Sequence, residues 1–220
     1  MLVLSAWNNV VVTRLPGHPG SYVVVNVAAT GSFVAAARVS GLTWGDIGLG
    51  RPRLPDGLRW GAAASAAVAC GYGVALAVPG LRPLLDDART ADLDGRQLVH
   101  QALVRIPLGT VLWEEVAFRG VLLAALARLS SVRAATVASS TVFGIWHVRP
   151  TAEALSANGL ADGPVVRAGA VVAAGVATGA AGLAFGWLRL RSGSLLAPVL
   201  VHVATNSLGI LAGAVARRRS

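Results

Sequence analysis

The chain has 220 residues, of which 55% are hydrophobic and only 13% charged, with a mean hydropathy of +0.64. Ordinary soluble domains are ~45–50% apolar and ~25% charged, so the composition excludes a soluble globular class and predicts an all-α, polytopic transmembrane helical bundle. The net charge of +9 comes from 19 basic residues, all arginine; without aromatic interleaving it fits headgroup contacts and loops, not a nucleic-acid partner.

Other classes fall away on small counts. Cys70 is the lone cysteine, so an intrachain disulfide is excluded. No charged segment precedes Arg14, so no cleavable signal peptide is expected. The dominance of alanine, valine, glycine and leucine, with arginine and no lysine, is read as a GC-rich coding bias, and a bacterial-type cytoplasmic membrane is the expected location.

Five or six apolar runs approach the ~20 residues that a bilayer crossing needs, about six spans in a single domain, residues 1–220. The first is Ser21 to Val39, after a short apolar start and the turn-like LPGHPG. The second runs from about Trp60 to Val78. Pro79 to Arg96, with four aspartates and three arginines, is expected to be an exposed loop. The third stretch, Gln97 to Leu129, is longer than one crossing, and Pro107 is expected to divide an interfacial segment from the span proper. The fourth, from Val132, ends at an Arg149-Pro150 break; the fifth is Pro164 to Leu190, with two small-xxx-small pairs suited to close helix packing. The sixth runs from Ser194 to Ala216 and ends in RRRS. Arginines divide almost evenly between alternate loops and give no orientation.

The chain holds three glutamates and four histidines, and Glu114, Glu115, His147 and His202 fall inside these spans. A charge at mid-bilayer costs ~2.5–3.5 kcal/mol on insertion scales, so such residues face a bundle interior and serve a function. Glu115 and Arg119, four apart, share a helix face and can pair, while Glu114 is rotated about 100° away and is left as the free carboxylate. Phe143 precedes His147 by four residues, and Asn206 follows His202 by four. A carboxylate, two imidazoles and an amide in a dry cavity meet the needs of amide hydrolysis: a base for water, and donors for the oxyanion. His18 and His100 carry no such context.

The stretch EEVAFR resembles the EExxxR motif of the CAAX-protease and bacteriocin-processing (CPBP) family of intramembrane endopeptidases, FGIWH its FxxxH motif, and HVATN its HxxxN motif. The resemblance covers residues 103–211. It implies that Glu114 and His147 activate water, that His202 and Asn206 stabilise the oxyanion, and that Glu115 and Arg119 are structural or orient Glu114. Phe143 and Trp146 are read as packing. The expected substrate is a membrane-associated protein or peptide; in a bacterial source a leader peptide, a bacteriocin-like peptide or a membrane-protein tail is expected ahead of a prenylated CAAX protein.

Glu114, His147 and His202 are also a zinc set of the open catalytic type. Without an HExxH pattern the reading favours no cofactor, and the zinc-dependent version of the same protease stays open. A polytopic carrier would show inverted symmetry between its halves, which is not seen. A non-enzymatic immunity scaffold would show a damaged motif, and none is damaged.

Overall fold

The computed structural model describes residues 2–219; Met1 and Ser220, the ends of the expected domain, lie outside the described residues. Those residues form eight helices and no strand. Helix α1 covers residues 2–14, α2 is Tyr22–Val39, α3 is Leu54–Ala77 and α4 covers residues 95–127. Then come α5 (Val132–Trp146), α6 (Val148–Ala157), α7 (Pro164–Ser192) and α8 (Leu196–Arg217). Four helices, α2, α3 with its leading turn, α7 and α8, are long and apolar enough to cross a membrane.

The two helices that carry the first two motifs are not among those four: α5 has only 15 residues, and α4 is interrupted by wide turns at Gln101–Val111 and Val116–Leu122. Every residue from 113 to 123 of α4 is buried, so this stretch of the helix is wrapped by protein on all sides. Leu4 of α1, Trp113, Phe118 and Leu122 of α4, and Phe143 and Trp146 of α5 form one apolar cluster beside it. Ala37, Ile47, Val121 and Leu195 form a second on its other flank. Helix α8 packs along α3 and α4, and α5 lies against α7.

The α5/α7 contact is backbone on backbone. A Cβ at Gly144 would stand 2.6 Å from the carbonyl oxygen of Gly175, and one at Gly182 would press on Ser140. The small-residue spacing of α7 is used here, as expected of helices that associate by close approach.

Two local expectations are corrected. Pro107 does not divide the third stretch: α4 runs through it, widened to an i→i+5 turn over Gln101–Val111. A wider turn takes the carbonyl away from the proline ring and absorbs the missing N–H. The chain also does not break at Arg149-Pro150. It bends at His147 (φ −89°, ψ 2°) and α6 begins at once, with Pro150 in its first turn, where its lack of an N–H costs nothing.

Between α3 and α4 the polar segment is mostly exposed, as expected, but it is ordered by two short 3-10 turns at Pro79–Leu85 and Ala88–Thr90. Arg217 at the end of α8 reaches Asp86 at 2.7 Å. A capping box of Asp94 and Gln97 then starts α4. The α7–α8 turn uses Gly193 in the left-handed region (φ +68°), which ends α7 where a side chain would be strained.

Candidate active site

The chamber is built where α4, α5 and α8 meet. From α4 come Glu114 and Glu115, both buried, with Arg119 one turn further on. From the C-terminal end of α5 comes His147, whose side chain is 23% exposed and is the most open member of the group. His202, from the first half of α8, is buried.

Glu114 is divided between its two oxygens. Oε1 accepts a hydrogen bond from the indole Nε1 of Trp146 at 2.8 Å. Oε2 is buried and accepts none among the described residues. Facing it are Nε2 of His202 at 3.8 Å and Nε2 of His147 at 3.9 Å.

The remote ring nitrogens fix what those two Nε2 atoms are. His147 Nδ1 lies 2.8 Å from the Phe143 carbonyl oxygen, one turn back on α5. A carbonyl can only accept, so the proton sits on Nδ1 and, in the neutral ring, Nε2 presents a lone pair toward Glu114. His202 Nδ1 is 2.8 Å from Oε1 of Glu115. The same oxygen takes the Arg119 guanidinium at 2.9 Å, so it is held as an acceptor and the tautomer of His202 follows in the same way.

Arg119 is itself fully enclosed. Its guanidinium carbon lies 3.9 Å from the centre of the Phe143 ring and 5.1 Å from that of Phe185, a cation over two aromatic faces that replaces part of the lost hydration. Phe185 and Phe143 also flank His202, at 5.1 and 6.1 Å between ring centres.

Five of the six residues singled out from the sequence are thus joined in one network. Asn206 is one turn beyond His202 on α8, half-buried, with no side-chain hydrogen bond to another described residue. The Glu115–Arg119 pair forms as the spacing predicts. Its reach is different from the expectation, because Glu115 contacts His202 and not Glu114.

Trp146 was read as packing, yet its N–H is the hydrogen-bond donor to Glu114. A signal was present: a buried indole needs an acceptor, and the acids of the spans are Glu114 and Glu115 alone. The Glu115–His202 contact had no such signal, since it joins helices 87 positions apart.

Two imidazole lone pairs beside an unbonded carboxylate oxygen are chemically apt zinc donors. Among the described residues, however, no group of three or more His, Cys, Asp or Glu is gathered as a metal ion would require. Their 3.8 and 3.9 Å spacings suit a hydrogen-bonded water, which sits ~2.8 Å from each neighbour.

A multi-pass helical bundle enclosing acid, imidazole and arginine is the class of protein that these features define. The family model Rce1-like, type II CAAX prenyl endopeptidase, matches residues 97–208, from the start of α4 into α8 and across all six site positions. The chain belongs to this family of CAAX-type intramembrane endopeptidases. No curated protein and no solved structure matches it.

Proposed function

We propose that the chain hydrolyses a peptide bond of a membrane-associated protein or peptide with water activated by Glu114. The observation that carries this is the unbonded Glu114 Oε2 facing two imidazole Nε2 atoms at 3.8 and 3.9 Å. A water among these three atoms would donate to Oε2 and to the lone pair of His147, which meets the need of a confined water for two or more polar partners.

The proton leaves water for Oε2 as oxygen attacks the scissile carbonyl, and Glu114 then returns it to the departing amine. His202 and Asn206 would bind the developing oxyanion. Donation from His202 Nε2 requires both ring nitrogens to be protonated, with Nδ1–H kept on Glu115. If zinc were bound, Glu114, His147 and His202 would hold it, and it would supply an activated water.

An apolar groove of about 940 Å³ between α5 and α7, lined in part by Ile145, Val148 and Val176, suits a substrate with a lipid or apolar anchor. Membrane lipid is the other partner. The membrane is proposed to be a bacterial-type cytoplasmic one, from the composition.

The test uses purified protein in liposomes with a fluorogenic peptide ending in a farnesylated CAAX sequence, and a second reporter anchored by a transmembrane helix. Glu114→Gln is expected to lower cleavage by ~10²–10⁴-fold, the range of an acid–base group, with little change in melting temperature. A folded Glu114→Gln protein that cleaves like the parent would overturn the reading in favour of a carrier or scaffold.

A further inference from the structure

We infer that Trp146 is a positioning residue that fixes which oxygen of Glu114 does the chemistry. The inference rests on the proposed role of Glu114. It concerns a side chain at an unspecified position of the FxxxH stretch, one residue before His147.

A glutamate carboxylate has a broad, roughly two-fold terminal torsion. Left alone, it would present either oxygen, or neither, to a water. Here Trp146 Nε1–H donates to Oε1 at 2.8 Å, so one oxygen is occupied and the other is turned to the two histidines. The indole cannot easily follow a moving carboxylate. It is 1% exposed, with Phe118 edge-on at 5.4 Å and Trp113 at 6.3 Å between ring centres. Trp113 is in turn backed by Trp7 and Phe33 at 5.6 and 5.7 Å. Trp7 is pinned through its own Nε1 to Asn26, which bonds the carbonyl of Gly109 on α4.

The aromatic cluster therefore has a second use besides burying area. It is a rigid mount for one N–H, aimed at one oxygen, and a donor held in advance costs no reorganisation during reaction. Placing Trp146 and His147 side by side at the end of α5 lets one helix end hold the inert oxygen of Glu114 and face the reactive one.

The neighbouring indole supplies the control. Trp113 lies in the same cluster and is as deeply buried, but its Nε1 has no acceptor among the described residues. Trp146→Phe and Trp113→Phe remove similar volume from one cluster, and only the first removes the hydrogen bond to Glu114.

With the farnesylated reporter, Trp146→Phe is expected to lower kcat about 10- to 100-fold, the value of a hydrogen bond to a charged group, with KM within about twofold. Trp113→Phe, which keeps a ring in the mount and takes no hydrogen bond from Glu114, should lower kcat clearly less than Trp146→Phe does. Should Trp146→Phe fold poorly, benzothienylalanine at position 146, which has sulfur in place of the N–H, keeps the ring volume and should show the same kcat loss. The contact is also read without turnover: in indole-¹⁵N-labelled protein, the Trp146 signal, assigned by its loss in Trp146→Phe, should move upfield in Glu114→Gln. An unshifted signal, parental kcat in either variant at 146, or equal losses in the two Phe variants would overturn the inference. None of these touches the Glu114 proposal, which fails only if Glu114→Gln cleaves normally.

Discussion

Two buried arginines, Arg119 in the chamber and Arg189 near the end of α7, solve the same physical problem in different ways. Arg119 has a full counter-charge, Glu115 at 2.9 Å. Arg189 donates instead to two backbone carbonyls of the α2–α3 loop, Asp46 at 2.8 Å and Gly45 at 3.3 Å. That loop is gripped elsewhere by Arg128, which reaches Gly41 and Asp46, and by Arg38, which bonds Leu42. The loop passes so close to Arg189 that a Cβ at Gly48 (φ +77°) would stand 2.3 Å from its Nε. Neutral carbonyls suffice where the task is to hold a shape. A carboxylate is needed where the same acid must also hold a histidine.

Arg119→Ala should break this contrast most visibly. It strands Glu115 as a buried charge, and losing one partner of a buried pair costs ~3–5 kcal/mol. A large drop in melting temperature in detergent is expected, and the folded remainder should cleave poorly because the Glu115–His202 contact has lost its brace. Arg189→Ala should cost less, ~1–3 kcal/mol for the carbonyls left without a donor, and cleavage per folded molecule should match the parent. Equal activity losses in the two variants would erase the distinction.

A smaller effect belongs to the polar segment outside the membrane. The hydrogen-bonded Arg89 guanidinium holds the Asp87 carboxyl down at about 2, from an ordinary 3.8. A depressed acid contributes stability above its unfolded value and loses it as pH falls through the folded one. Asp87→Asn should therefore lower stability by ~0.2–1 kcal/mol at neutral pH, as for partly exposed pairs, and the difference from the parent should disappear between about pH 4 and 2. Melting curves of the two proteins across that window would test it. The smallest expected effect is that of metal removal: cleavage should survive exhaustive chelation, and loss of activity restored by added zinc would move Glu114, His147 and His202 to the role of ligands.

The chamber was legible in the sequence to the extent that lipid makes charge expensive. Glu114, Glu115, Arg119, His147 and His202 stand out because they sit deep in apolar runs whose other ionisable residues lie nearer the ends, and helical spacing alone pairs Glu115 with Arg119. Hydropathy also finds α2, α3, α7 and α8, which are long and apolar enough to cross a membrane. The run of α4 is found as well, but apolarity does not say that its residues 113–123 are enclosed by protein and not by lipid. Pro107 misleads for a related reason: a proline breaks an α-turn, but a widened turn accommodates it, and nothing in the sequence announces the widening. Trp146 is easily passed over because an indole packs and donates at once, and only the need of its N–H for an acceptor points to Glu114 or Glu115.

The Gly144–Gly175 crossing has a consequence for how the molecule can change. A methyl at Gly144 would meet a carbonyl oxygen at 2.6 Å, and backbone, unlike the tip of a side chain, has nowhere to swing. The alphabet at this position is one letter long. Gly144 is also three residues before His147, so any substitution that pries α5 from α7 would be paid in the placement of an imidazole. A variant library built on this chain would find surface positions of α7 permissive and this contact silent, a blank column fixed by backbone geometry and not by any reacting group.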